Sequence, residues 1–558
     1  MSDPRPRTAE PRSFFPREIP LVALASVVLA LVMNLPLTAT LTSHMPEVGN
    51  GDPYLQAWQV AWQGHALANQ PYDYFDGNIF WPERNSLAFS DALIGYAPTG
   101  LIGNGLKAAH IRYNLLFLFA YVLAFFGAYL LAREMGARSP PACAVAAAAY
   151  AYAPFRLSQN NHLHIISSGG LVLALFLLLR GYRRQRPRMI VGGWVVAAWQ
   201  VSIGFSVGLH LAYIMGILGL TWGAQWLRGG RPSIPKQTIV ASAIGATLFS
   251  SWCAIQVRPY FEVVELHPYA KRQVASLEKY SPPPSGYLSA PRQSLLWGSA
   301  TASARDGLAQ PDEQSVFLGF SVLMLAGAGL GAAEIYSRMR RRALALASIS
   351  VGIMSLGFGW VGGSLVYGAL FRLPGWNAIR TPGRLTAITA LCLGLLAAAG
   401  TERLMARTSS WRPRRAASVL GWAVAAIVLV EGAGHIEVTR PAPAPMGRLG
   451  LATPQVHLPF DSISDRTHTY WSIDEFPKIA NGMSGFFPHE QGRLKATMTQ
   501  FPNAASVAAL QGLGIRTVIF HPDLAVATKF EEVGKRSVEG LPLTVERRED
   551  VLVFHLQR

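Results

Sequence analysis

Four polar stretches interrupt an otherwise apolar chain, and each carries groups able to handle protons or phosphate. The first opens at Gly51-Asp52-Pro53-Tyr54, directly after an apolar run, and continues through Trp58, Trp62, His65, Asp73, Asp76-Gly77-Asn78, Phe80-Trp81-Pro82 and Asp91. A carboxylate at the edge of an apolar wall suits general-base work on a hydroxyl, because burial raises its pKa towards working pH. Asp52 before Pro53 also reads as a helix N-cap with proline at the first helical position, and the two roles are compatible. Asp76 stands in an ordinary turn sequence and Asp91 can cap the segment that follows, so each has a structural reading beside a catalytic one. Tyr54, Trp58 and Trp62 fall at i, i+4 and i+8 on one helix face. They read as an interfacial helix with indoles at headgroup depth, and Trp58 and Trp62 are also candidates to line a substrate site.

The second stretch is Phe155-Arg156-Leu157-Ser158-Gln159-Asn160-Asn161-His162-Leu163-His164. So polar a segment between apolar spans must line a wet cavity or lie at the interface. His162 and His164, at i and i+2, do not share a helix face, and nothing nearby supplies a definite third metal ligand. They are read as hydrogen-bonding groups for a substrate, with Arg156 available to a phosphate. The third stretch holds Arg258, Glu262, Glu265, His267, Lys271, Arg272 and Tyr280 and ends at Asp312-Glu313. The fourth, Leu373 to Arg384, places Arg380 and Arg384 beside the membrane. Arg258, Lys271, Arg272, Arg380 and Arg384 are candidates for an anionic headgroup or a pyrophosphate-like group, against the alternative of a solvated loop. No P-loop, dinucleotide fingerprint, nucleophile elbow, HExxH or CxxC motif occurs, so a soluble nucleotide-sugar or ATP site is unsupported.

The elements that must position these groups are membrane helices. The 558 residues are 51% hydrophobic and 15% charged, against roughly 25% charged in soluble domains. Apolar runs recur at 19–41, 112–132, 142–155, 165–181, 190–203, 206–227, 238–256, 314–335, 344–361, 385–402 and 417–434, giving about eleven spans of bilayer-crossing character. The segment 92–107 is apolar but broken by Pro98, Gly100, Gly103 and Gly105, and reads as re-entrant or interfacial. The net charge of +17 does not point to nucleic acid. Its arginines cluster between spans, at 180–188, 338–342 and 403–415, as cytoplasmic loops do. An inside N-terminus then puts 42–111, 156–164, 257–313, 362–384 and the tail outside. Cys143, Cys253 and Cys392 all lie in apolar runs, which argues against a disulfide framework.

The tail begins at a stiff linker, Pro441-Ala442-Pro443-Ala444-Pro445. Val456–Phe460 and Arg516–His521 read as strands, Asn503–Leu513 as a helix ended by Gly514, and Leu543–Leu556 as a hairpin turning at Glu549-Asp550. The fold class expected is mostly α: a polytopic membrane bundle with a small C-terminal α/β extramembrane domain.

Several of these segments resemble the GT-C membrane glycosyltransferases, and among them the bacterial proteins related to protein O-mannosyltransferases and to YfhO-type membrane proteins. The likeness rests on Gly51-Asp52-Pro53 with Trp58 and Trp62, on Asp76 to Pro82, on Tyr152 to Arg156 with His162, on Leu373-Pro374-Gly375, and on Ile379 to Arg384. In the tail it rests on Asn481 to Phe486 and Leu513 to Arg516. The resemblance implies a cytoplasmic tail 1–18, a GT-C-like transmembrane domain 19–434 with outer loops 42–111 and 257–313, and a periplasmic or extracytoplasmic α/β domain 435–558. It implies a bacterial inner-membrane enzyme that moves a sugar from a polyprenyl-phosphate donor to an acceptor hydroxyl, with Asp52 as base and arginines receiving the phosphate. The acceptor is a glycan, lipid or protein. Many relatives carry a second acid between their third and fourth spans. Here Arg156, His162 and His164 stand there instead, which weakens the case for a divalent metal and makes Asp76 and Asp91 the candidate replacements. No cofactor is expected. The competing readings are a transporter or flippase for lipid-linked saccharides, and a non-catalytic cell-envelope assembly protein. Transporters place polar groups at mid-membrane in broken helices, whereas these ionisable residues lie at span ends.

Overall fold

The computed structural model describes residues 18–46, 51–409 and 413–557. The N-terminal tail 1–17, Arg412 and the Arg414 side chain of the third basic cluster lie outside the described residues. Helices Glu18–Met33, Gly105–Met135, Pro140–Ala151, Gly169–Arg183, Pro187–Ile203, Phe205–Arg228, Lys236–Leu266, Phe320–Leu330, Arg338–Ser355, Thr386–Ser409 and Arg414–Glu431 fall on the apolar runs. Among the described residues, five segments are long and apolar enough to cross a membrane: Gly105–Met135, Leu163–Arg183, Phe205–Arg228, Lys236–Leu266 and Pro382–Ser409.

The alanine-rich helix Pro140–Ala151 is buried along almost its whole length. Its small side chains let neighbouring backbones approach, as membrane helix interfaces favour. A Cβ on Gly394 of Thr386–Ser409 would lie 3.1 Å from the Ala146 carbonyl oxygen.

Helix Gly105–Met135 has 31 residues and so spans about 46 Å. Near its start, His110 Nε2 meets the His44 carbonyl at 2.9 Å and Asn114 donates to the same oxygen at 2.8 Å. At its far end Arg133 pairs with Glu18 at 3.1 Å and Glu134 with Arg180 at 2.8 Å. Arg183 and Arg340 also donate to backbone carbonyls at that end. The polar loops and the basic clusters therefore sit at opposite ends of the bundle.

The first polar stretch folds as helix Asp52–Asn69, followed by turns and a 3₁₀ segment, Ile94–Leu101. The segment read as re-entrant packs on that helix, with Gly64 and Gly100 so close that a Cβ on either would strike the other segment's backbone.

The tail is an α/β unit. Its four-stranded sheet runs in the order Gln455–Leu458, Thr517–Phe520, Val551–Leu556, Leu543–Arg548, with the first pair parallel and the rest antiparallel. Helix Ala504–Gly512 starts at a reciprocal cap in which Ser506 N–H donates to Asn503 Oδ1 at 2.8 Å and Asn503 N–H to Ser506 Oγ at 3.0 Å. Val456, Leu458, Phe501, Val518 and Phe554 form its core.

This tail is fastened to the first polar loop. Phe80 N–H donates to the Asn481 carbonyl and Trp81 N–H to that of Ile479, both at 3.0 Å, while Ile479 N–H donates to the Asn78 carbonyl at 2.8 Å. Met45–Pro46 pairs antiparallel with Val438–Thr439. The linker is pinned as well: Tyr54 Oη accepts from Ala442 N–H at 2.9 Å, and the Tyr54 ring stacks on Tyr470 at 4.4 Å.

Candidate active site

Gly51, not Asp52, occupies the N-cap of helix Asp52–Asn69. It adopts φ +81°, and its carbonyl accepts the N–H groups of Tyr54 and Leu55, both at 3.1 Å. Only glycine adopts this left-handed turn at little cost, and the space admits nothing larger. A Cβ would lie 2.5 Å from Arg466 Cδ and 2.7 Å from Met483 Sδ. The cap expected of Asp52 is thus supplied one residue earlier, and its carboxylate faces the second polar stretch.

There, Asp52 Oδ2 lies 3.2 Å from His162 Nε2. The same nitrogen is 3.8 Å from Glu313 Oε1, and Glu313 Oε1 accepts from Arg384 at 2.8 Å. Gln159 donates to the other Glu313 oxygen at 3.2 Å. Four loops therefore contribute to one chain of groups, Asp52–His162–Glu313–Arg384. Glu313 is 8% exposed and Asp52 26%, so Asp52 is the end open to solvent. Burial pushes both carboxyls up, but their partners outweigh it. The hydrogen bond from His162 and the charges of His162, His164 and Arg384 hold Asp52 below the usual carboxylate range. Arg384, His162, Gln159 and Arg380 hold Glu313 at about 2. Asp52 is therefore ionised at rest, which corrects the expectation of a pKa raised by its apolar surroundings.

His164, as the i, i+2 spacing requires, turns the other way. Its ring is nearly perpendicular to that of His162, and its Nε2 lies 3.8 Å from Asp91 Oδ2. Asp91 caps helix Phe205–Arg228 by accepting from Phe205 N–H at 3.2 Å. Burial raises its pKa, against the lowering influence of Phe205, Arg384 and Arg272. Arg272 lies over the Phe486 ring at 4.1 Å and Arg380 over Tyr280 at 4.6 Å. Burial and the like charge of Arg380 push the Arg272 guanidinium down to about 10. Arg272, Arg380 and Arg384 thus form a positive rim shared by Asp52 and Asp91.

Six expected site residues stand elsewhere. Arg156 is 3% exposed and donates to Ser168 Oγ and the Ile166 carbonyl; these internal bonds, rather than a phosphate, occupy it. Helix Lys236–Leu266 runs ten residues past the predicted end of its apolar run, which puts Arg258 on an exposed helical turn paired with Glu262 at 2.9 Å. Lys271 is exposed. Asp76 accepts from Asn85 N–H at 2.7 Å and closes a turn. Trp58 and Trp62 are buried, not interfacial. Their indole N–H groups donate to Asn78 Oδ1 at 2.8 Å and the Tyr74 carbonyl at 3.1 Å, and the tail's Phe476 packs edge-on against Trp62.

Glu313 was not among the expected site residues, although it shares with Asp52 the signal of a carboxylate at a loop–span junction. A second unforeseen set is Gln56, Gln59 and Gln63, all buried on the face of the loop helix away from its aromatics. Gln59 donates to the Asp91 carbonyl at 2.7 Å, Gln63 to that of Ala92, and Gln56 accepts from Leu163 N–H at 2.9 Å. Their spacing of i, i+3 and i+7 was legible. They hold the Asp91 and His164 segments against the loop helix. Among the described residues, the metal-ligating groups that converge in threes are not here but in the tail, at His457, His468 and His521.

No family model and no curated protein matches the sequence. Among solved structures, the chain is similar to the arabinofuranosyltransferase AftD from Mycobacteria, with a TM-score of 0.56 and 15% identity over 98% of this chain. The chain spans 40% of that protein's length. It is also similar to the apo oligosaccharyltransferase of Archaeoglobus fulgidus, at a TM-score of 0.49 and 15% identity over 91% of this chain and 70% of that one. The likeness to AftD shows that this chain shares its fold, and the apolar helices are long enough to cross a membrane.

Proposed function

We propose that this protein transfers a sugar from a polyprenyl-phosphate donor to an acceptor hydroxyl at the outer face of a bacterial inner membrane, with Asp52 as general base. The observation that carries the reading is the chain Asp52–His162–Glu313–Arg384. It presents an ionised carboxylate to solvent and backs it with a histidine and a buried ion pair. Asp52 accepts the hydroxyl proton as the oxygen attacks the anomeric carbon; the bond from that carbon to the phosphate oxygen breaks, and its electrons leave with the phosphate. A phosphate leaving group needs positive charge more than a general acid, and Arg272, Arg380 and Arg384 supply it. His162 donates to Asp52 before the transfer and keeps its charge localised beside the acceptor. Asp91, which accepts from Phe205 N–H, is the second carboxylate at the rim and orients sugar hydroxyls.

The placement outside is supported by the two ends of the bundle. The basic clusters gather at the Met135 end of helix Gly105–Met135, and the site lies at the Gly105 end with the tail domain. Loops rich in arginine stay cytoplasmic, which leaves the site and residues 435–557 on the other side. The similarity in fold to an arabinofuranosyltransferase supports glycosyl transfer over transport.

The test is purified full-length protein in nanodiscs, offered the polyprenyl-phosphate sugars extracted from a bacterial membrane, with donor loss followed by mass spectrometry. Consumption by the wild type that persists unchanged in Asp52→Asn removes the assignment of the base. No consumption of any donor in the pool, by a folded wild type, removes the reaction.

A further inference from the structure

The tail contains a second cluster whose chemistry the glycosyl-transfer reading does not use. His457 lies on strand Gln455–Leu458, His468 on helix Ser464–Trp471, and His521 just beyond strand Thr517–Phe520. They are 4%, 1% and 2% exposed. We propose that His457, His468 and His521 bind one divalent transition-metal ion of the zinc class.

Three observations carry this. First, the ligand atoms of all three lie within 4.8 Å of one another. Second, the ring centroids are 5.2 Å apart for His457–His521 and 5.1 Å for each of the other two pairs. A tetrahedral ion with metal–nitrogen distances of about 2.0–2.1 Å sets imidazole centroids roughly 5.2 Å apart. His457 Nδ1 and His521 Nε2, now 2.9 Å apart, would open by roughly 0.4 Å to share such an ion. Third, the hydrogen bond between His457 and His521 leaves part of the cluster unsatisfied. The buried His468 Nδ1 and His521 Nδ1 have no partner.

The tautomer of His468 is fixed as metal sites require. Its Nε2 lies 3.0 Å from the Pro459 carbonyl, which can only accept, so Nε2 carries the hydrogen and Nδ1 offers its lone pair. Asn481 holds the His457 backbone from both sides, accepting from its N–H at 2.7 Å and donating to its carbonyl at 2.9 Å. Three imidazoles suit zinc, and also copper and nickel. The ion would tie two strands to helix Ser464–Trp471. That helix carries Arg466, which packs on Gly51, and Tyr470, which stacks on Tyr54. The site is therefore a brace beneath the helix that presents Asp52.

The experiment uses the full-length protein in detergent, stripped with EDTA, dialysed, and titrated separately with zinc and with cobalt. The expected result is one zinc per chain by elemental analysis and the intense visible absorption of tetrahedral cobalt. His468→Gln and His521→Gln should each weaken binding at least 100-fold, and His555→Gln, an exposed tail histidine, should leave it unchanged. The wild type alone decides the matter if a variant fails to fold. Absence of stoichiometric zinc, or a weak octahedral cobalt spectrum, overturns the proposal. Equal loss of binding in His555→Gln reassigns the ion to the surface and overturns it too.

Discussion

Replacing Glu313 by glutamine should cost the protein roughly 3 kcal/mol, and the figure follows from its surroundings. A carboxyl that titrates at 4.5 when unconstrained and at about 2 here is stabilised by its neighbours in the ionised form by roughly 3 kcal/mol. Glu313 and Arg384 are 8% and 12% exposed, so solvent screens little of this. The value falls at the lower edge of the ~3–5 kcal/mol lost when one partner of a buried pair is removed. Because the folded pKa is depressed, the contribution is fully present above 4.5 and disappears as pH falls from there towards 2. The assay is thermal unfolding of detergent-solubilised protein followed by tryptophan fluorescence, from neutral pH through that window. Wild type should lose stability across the window, and Glu313→Gln should start lower and lose less. Glu313→Gln combined with Arg384→Gln should fall by less than the two single losses together, because the pair is coupled. Strict additivity, or a Glu313→Gln variant as stable as wild type at neutral pH with the same acid profile, would refute the account of a buried pair supporting His162.

Asp52→Asn should lower sugar transfer by roughly 10²–10⁴-fold, the usual reach of a general base, and should also lower the unfolding midpoint at neutral pH, because the partners that hold its pKa down stabilise the fold through its charge. Since Asp52 titrates below its ordinary 3.8, the acid limb of kcat/KM assigned to the base should lie below pH 3.8, and a limb near neutrality would point to another group. Gly51→Ala should reduce transfer and stability together, costing at least ~1 kcal/mol for the left-handed backbone before the collision with Arg466 is counted; the same unfolding assay reads it. Gly100→Ala should destabilise by about 1–3 kcal/mol through overpacking against the loop helix, with Gly368→Ala, which meets nothing within 4 Å, as the neutral control.

The helices were legible because apolar runs of span length have few alternatives, and the tail because its punctuation is local. Asn503 three residues before Ser506 is a cap, and Glu549-Asp550 between two alternating runs is a hairpin turn. What escaped was whatever depends on a distant partner. The face shared by Trp58 and Trp62 could be read from their spacing, but what covers it could not, since Phe476 lies about four hundred residues on. Arg156 looked like a phosphate ligand because nothing local shows that Ser168 and Ile166 will surround it. Helix Lys236–Leu266 continues ten residues beyond its apolar run, through Pro259, and carries Arg258 with it. His457, His468 and His521 sit in three separate elements with no spacing rule between them. Only the sheet's parallel pairing brings the first and last together.

The strip of hydrogen bonds between residues 78–81 and 479–481 also sets a clock. Asn78 donates to the Pro477 carbonyl, 399 residues further along the chain, so one half of the strip is synthesised long before the other. At about 5–20 residues per second the delay is roughly 20–80 s. Throughout it, Asn78, Phe80 and Trp81 lack the partners they have in the folded chain, and the turn at Gly51 lacks Arg466 and Met483. The first loop therefore gains these contacts only after residues 477–483 have been synthesised. Premature termination near the linker should yield inserted protein without a formed site, exposed to proteolysis at the first loop.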